Sequence, residues 1–219
     1  SEITQNLSLQ TRVAYIAQHL ILNQKETRKE ELINFLFVSN NTLTADLKST
    51  EEYLNKFDLQ LRRLPGVSLN VFGNEYNIRV CLLDNLRFAA KISAFWLLDS
   101  EINEIKNSAN RILQENQIAI NGELLKDLYL QIEIAVLRSK SGNHIHMYQE
   151  AITFVLNKKI SNVSKEIVTL VNQALNATMN EDDEKVVGLN ILTKVSSYSF
   201  DRENLHYRIC NSLDLSIER

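Results

Sequence analysis

The stretch from Arg28 to Gly73 constrains the fold more than any other part of this chain. Its apolar residues recur first at helical and then at strand spacing. Leu32, Phe35 and Leu36 form the stripe of one short helix, and Phe37-Val38-Ser39 reads as a tight turn. Ser39 is placed to cap the next helix through its hydroxyl. Leu43, Leu47, Thr50 and Leu54 line the buried face of that second helix, and Asn41, Thr44 and Lys48 fall on its opposite face. After Phe57, the runs Leu59-Gln60-Leu61-Arg62 and Leu69-Asn70-Val71 flank Pro65-Gly66, which is a hairpin signal. Helix, turn, helix and hairpin together describe a winged helix. Short polar groups on an exposed helix face suit a nucleic-acid groove, so the expected ligand is double-stranded DNA. On this reading Ser39, Asn40, Asn41, Thr42, Thr44 and Lys48 enter the major groove, with Thr44 and Asn41 reaching base edges and Lys48 a phosphate. Arg62 and Arg63 on the wing contact backbone or minor groove.

Charge limits how strongly such a unit binds. The chain of 219 residues carries a net charge of −3. Residues 1–73 hold 8 Lys/Arg against 8 Asp/Glu, a difference of zero. Affinity for duplex DNA comes largely from phosphate neutralisation, so a second module or a homodimer is expected to supply the rest. One proline and five glycines, with helical periodicity almost throughout, predict a mainly α protein in which strands occur only between Leu59 and Phe72. The length allows two domains. No apolar run approaches the ~20 residues that span a bilayer. The start, Ser-Glu-Ile-Thr-Gln, lacks the basic-then-apolar pattern of a signal peptide. Cys81 and Cys210 in separate apolar segments read as reduced core thiols, which points to the cytoplasm. The missing initial methionine and the abrupt end at Glu218-Arg219 read as a fragment of something longer.

The remaining segments are ordered simply. Ser8 to Asn23 is an amphipathic helix with Val13, Ile16, Ala17 and Leu20 on one face and His19 as a structural residue within it, followed by a polar loop from Gln24 to Thr27. Residues 1–78 thus form the winged-helix domain. Ile78 to Leu98 is apolar on more than one face and reads as one long buried helix, connecting the domains over residues 79–99, with Trp96 in a core or interface. Residues 100–198 read as a bundle of about five helices. These are Ser100 (as cap) to Asn116, Glu123 to Ser139 after the Asn121-Gly122 turn, Tyr148 to Asn157, Ser164 to Ala177, and Glu181 to Val195. The tail from Phe200 to Arg219 is a further amphipathic helix.

The order of these parts resembles the Gram-positive transcriptional regulators that carry phosphotransferase-system regulation domains (PRDs), of the BglG and mannitol-activator type, with the winged helix of the related Mga-type regulators. The resemblance rests on Arg12-Val13, Leu36-Phe37-Val38-Ser39, Thr42-Leu43, Asp46-Leu47-Lys48, Leu59 to Gly66, and the exit Phe72-Gly73-Asn74-Glu75 with Ile78-Arg79. In the bundle it rests on Leu128 to Arg138, which ends in Ala135-Val136-Leu137-Arg138, and on Glu184 to Leu192. The tail from Cys210 to Arg219 is similar to the first of these motifs, so residues 199–219 read as the start of a second PRD or a docking helix. The resemblance implies an activator of carbohydrate-uptake or related genes whose partners are DNA, a second copy of the chain and phosphotransferase-system proteins. It also implies phosphorylated histidines, and here the sequence departs: the corresponding positions are Gln131, Ile191 (or Asn190) and Ser212. None accepts a phosphoryl group as histidine does, so the bundle is expected to serve dimerisation or signal relay.

Other chemistry is sparse. His144 and His146 in a glycine-containing loop offer half a metal site or a displaced phosphoacceptor, but no third ligand stands nearby in sequence, and an exposed loop is the better reading. His206 reads as structural, and Glu181 to Glu184 as a solvated helix start. No phosphate-cradling glycine loop or nucleophile–base pair occurs, so neither a cofactor nor an enzymatic role is expected. The alternative of another class is a scaffold in which a degenerate winged helix and bundle mediate dimerisation without touching DNA. The neutral charge of residues 1–73 favours it, and the intact polar face of Asn41, Thr44 and Lys48 disfavours it.

Overall fold

The computed structural model describes residues 7–23, 26–64, 68–147 and 158–195. The chain divides after Trp96 into two compact units.

Unit one begins with helix α1 (Leu9–Leu22), capped by Ser8, whose hydroxyl accepts from the Thr11 N–H. A two-residue strand β1 (Thr27–Arg28) leads into α2 (Lys29–Leu36), and α3 (Asn40–Asn55) follows after the turn. Strands β2 (Gln60–Leu64) and β3 (Ser68–Phe72) pair antiparallel, with Leu61 opposite Val71 and Arg62 opposite Asn70. Strand β1 adds to the other edge of β3, giving the order β1-β3-β2. Thr27, expected in a polar loop, is therefore a buried strand residue. Two residues are too few to show a period of two in sequence. Ile16, Leu20, Leu32, Leu36, Leu43, Leu47 and Leu69 form one core between the three helices and the sheet, with Leu61 and Val71 packed on it.

Gly73 turns the chain out of the wing at φ +156°, where a Cβ would lie 2.3 Å from the buried Leu59 side chain. Asn74 then caps α4 (Glu75–Asn85), accepting from the Tyr76 N–H at 2.8 Å. The stretch expected as one helix from Ile78 to Leu98 is helical only to Asn85. Its second half is a series of turns, because the buried Gln18 side chain takes over the backbone hydrogen bonding. Gln18 Nε2 donates to the Ala90 carbonyl (2.9 Å), while its Oε1 accepts from the Ile92 N–H (3.2 Å) and the Trp96 indole (3.0 Å). The segment satisfies its polar groups without being helical. Cys81 is a buried free thiol, which burial pushes up to about 12, so it is protonated and unreactive at neutral pH. Cys210 lies outside the described residues.

Unit two is built from α5 (Asp99–Glu115), α6 (Gly122–Lys140), α7 (Lys158–Leu175) and α8 (Glu181–Val195). Ile105, Ile112, Leu128, Ile132, Ile167, Val171 and Ile191 are central to its core. Three expectations shift. Ser100 is not the cap of α5: the cap is Leu98, two residues earlier, and the Glu101 carboxylate accepts from the Leu98 N–H at 2.9 Å. This bond and Lys140 lower the Glu101 pKa. The helix expected at Ser164 begins at Lys158, because Ile160 and Val163 continue the buried stripe of Ile167 and Val171 upstream. The helix expected over Tyr148 to Asn157 lies outside the described residues, as does the tail with His206 and Ser212. Helix α8 has the expected bounds, but its acidic start is not wholly solvated: Asp183 is buried and its Oδ2 accepts from the Asn180 N–H, while Asn180 Oδ1 accepts from the Asp182 and Asp183 N–H groups.

Candidate nucleic-acid interface

Helix α3 presents two chemically distinct faces. Leu43, Asp46, Leu47, Thr50 and Leu54 are buried, whereas Asn40, Asn41, Thr44 and Lys48 are exposed. Ser39 caps the helix as expected: its Oγ accepts from the Thr42 N–H at 3.1 Å and lies 2.9 Å from Thr42 Oγ1. These two hydroxyls are thus engaged with one another at the start of the helix. Asn41, Thr44 and Lys48 are left as the exposed polar row. The Thr44 hydroxyl donates to the Asn40 carbonyl at 2.9 Å, so its free capacity is that of an acceptor, with a methyl group beside it.

An acid within the buried stripe fixes how α3 is held. Asp46 is 1% exposed and accepts two hydrogen bonds from one guanidinium, from Arg12 Nε (2.7 Å) and Nη2 (2.9 Å). Arg12 Nη1 also donates to the Leu7 carbonyl, and its pKa is raised chiefly by the Asp46 hydrogen bond. This forked pair clamps α3 to α1, because a planar guanidinium bound through two nitrogens fixes orientation as well as distance. A carboxylate between Leu43 and Leu47 was the signal in the sequence, since a buried acid needs a partner.

The wing separates its two arginines. Arg62 lies opposite Asn70 and Arg63 opposite Leu69, so the two side chains leave opposite faces of the hairpin. Arg62 sits over the Phe72 ring at 4.2 Å and donates to Gln60 Oε1 at 3.2 Å, an arrangement that holds the guanidinium on the outer face. Arg63 is exposed on the face that carries Leu61 and Val71 further along the hairpin.

In unit two, the two described positions expected to align with phosphorylated histidines, Gln131 and Ile191, lie on α6 and α8. Gln131 Nε2 donates to Asp127 Oδ2 at 3.0 Å, and Lys194 Nζ meets the same oxygen at 2.7 Å, tying α6 to α8. Ile191 is fully buried in the core. His144 is partly buried and His146 exposed, on either side of the buried Ile145. Among the described residues no group of three His, Cys, Asp or Glu side chains is arranged to hold a metal ion, and no helix is long and apolar enough to cross a membrane.

Comparison with known proteins agrees with this geometry. Residues 1–86 match the Mga helix-turn-helix domain. The probable licABCH operon regulator of Bacillus subtilis is 23% identical over 83% of this chain and 29% of its own length. The transcriptional regulator ManR of the same organism is 25% identical over 68% of this chain and 24% of its own. The chain therefore spans less than a third of either regulator. MutS protein homolog 4 of Saccharomyces cerevisiae is 24% identical over 80% of this chain and 20% of its own length. Amphipathic helices share apolar periodicity across unrelated folds, so that isolated likeness carries less than two regulators that agree with the domain match. With an engaged cap, an exposed polar row and a paired wing, the N-terminal unit is similar to the Mga helix-turn-helix domain, in a chain similar to two regulators of Bacillus subtilis.

Proposed function

We propose that this chain is the DNA-reading and first bundle segment of a transcriptional activator of carbohydrate-uptake or related genes, acting in the cytoplasm as a homodimer. The observation that carries the reading is the row Asn41, Thr44 and Lys48, exposed on a helix whose other face is clamped by Arg12 and Asp46. In this arrangement α3 lies in the major groove, Asn41 and Thr44 meet base edges, and Lys48 meets a phosphate. Arg62, held over Phe72, contacts the backbone or minor groove beside it. The bundle serves dimerisation or signal relay rather than phosphoryl reception at the usual positions, because Gln131 and the buried Ile191 occupy two of them. His144 and His146 are the residual candidates for a phosphoryl group from phosphotransferase-system proteins.

Fluorescence anisotropy with labelled promoter duplexes tests the reader. The Thr44→Ala/Lys48→Ala variant is expected to lose about 2–4 kcal/mol of specific binding free energy, the sum of one base-edge contact and one phosphate contact. Unchanged affinity in that double variant would refute α3 as the reading helix. A chain that dimerises in sedimentation yet ignores every duplex would establish the scaffold alternative. Incubation with phosphoenolpyruvate and the general phosphotransferase proteins, read by intact mass, tests His144 and His146.

A further inference from the structure

Phe37 stands at the turn between α2 and α3 with φ 54° and ψ 43°, in the left-handed region. Its own N–H and that of Val38 both reach back to the Ile33 carbonyl, the latter at 3.3 Å, a helix ending whose left-handed residue is usually glycine. A Cβ in that conformation is strained, and a bulky ring gains nothing from it locally. Nor does packing repay the strain. The Phe37 side chain is 75% exposed, the highest of any large apolar residue among those described, and it is absent from the core to which its neighbours Phe35 and Val38 contribute. Phe72, the exposed aromatic residue of the wing, is covered by Arg62; among the described residues no cation is stacked on Phe37 in this way.

Strain and exposure together mark a residue kept for a contact outside the fold. Its position specifies the contact. Phe37 precedes by two residues the cap Ser39, and the exposed polar row of α3 starts at Asn40 and Asn41. Recognition helices meet base edges with their N-terminal residues, so a ring at this turn borders the same nucleic-acid surface. We infer that Phe37 is a DNA-contacting residue, its ring packing on the apolar surface of the duplex at the N-terminal end of α3, either a thymine methyl group or a deoxyribose. The inference rests on the reading of α3 given above and adds an apolar anchor to its polar row. It also bears on affinity: a unit with no net positive charge gains from a contact that does not depend on phosphate neutralisation.

The test combines anisotropy with thermal melting. The probe is a fluorescein-labelled duplex recovered on the wild-type 219-residue chain by repeated selection from a random-sequence library. Phe37→Gly is expected to weaken binding about tenfold while leaving the melting temperature unchanged or a few degrees higher, since glycine fits the left-handed turn. Phe37→Tyr, which keeps the ring, binds within about twofold of the wild type. Replacing thymine by uracil in the probe removes the methyl group alone. Affinity lost by the wild type but not by Phe37→Gly assigns the contact to the methyl, and affinity unaffected in both assigns it to the sugar. Phe37→Gly binding as tightly as the wild type overturns the inference. So does a fall in melting temperature that accounts for the lost affinity, or a loss of self-association with DNA affinity intact. A wild type that selects and binds no duplex overturns the DNA-reading assignment itself, which separates that failure from failure of the Phe37 contact.

Discussion

The His19 imidazole lies between the rings of Phe35 and Phe95, with centroids 5.3 and 5.2 Å away, and its Nδ1 is 3.5 Å from Thr27 Oγ1. Burial lowers its pKa, and the Glu31 carboxylate opposes that shift only in part. The unfolded chain therefore binds this proton first as pH falls. The stability contributed by the neutral ring is complete above the unfolded value of about 6.5 and is lost as pH drops through the lower folded value. The single tryptophan of the sequence, Trp96, sits buried in the same unit and reports on it selectively. Urea midpoints followed by Trp96 fluorescence are expected to fall from about pH 7 to about pH 5. His19→Phe, which keeps an aromatic ring between Phe35 and Phe95, should flatten that dependence; an equally steep fall in the variant would mean that another group is responsible.

At the scale of elements, what was legible divides by the range of the interactions involved. Helix α3 could be read because its stripe, its cap and its polar row are all local, and the wing because strand alternation flanks a turn. The segment from Leu86 to Leu98 could not. Its apolar residues suit a helix, and the group that decides otherwise, Gln18, lies more than seventy residues upstream. A polar residue fully buried on the apolar face of α1, beside Ile16 and Ala17, was the available signal that some backbone needed satisfying. The candidate site shows the same division. Ser39, Asn41, Thr44 and Lys48 follow from spacing, whereas the Arg12–Asp46 clamp and the stacking of Arg62 on Phe72 are tertiary. Gln18→Leu conserves much of the volume but leaves the Ala90 carbonyl, the Ile92 N–H and the Trp96 indole without their partner. The expected loss is about 3 kcal/mol, from several buried polar groups left unpaired. Tryptophan emission should shift to the red in the variant before unfolding begins. A variant as stable as the wild type, with unchanged emission, would show that the segment holds its shape without Gln18.

For the whole molecule, charge is the quantity that links fold to function. Within the proposed interface the exposed cations are Lys48, Arg62 and Arg63, and the two arginines leave opposite faces of the wing. One unit therefore neutralises about three phosphates at most, and fewer if only one face of the wing meets the duplex. That number predicts a slope of log affinity against log salt concentration of about −2 to −3 for a single bound unit. Two units on adjacent half-sites double the slope to about −4 to −6, and they also double the apolar and base-edge contacts, which salt does not screen. A homodimer thus raises specific contacts and electrostatic affinity in the same proportion, which suits a reader with no net positive charge in its first 73 residues. Salt titrations by anisotropy, with stoichiometry fixed by sedimentation on the same duplex, measure both quantities together. A shallow slope with one chain per duplex would show that a lone unit suffices. A slope steeper than about −6 with two chains would require cations beyond this interface, and would place part of the binding surface outside α3 and the wing.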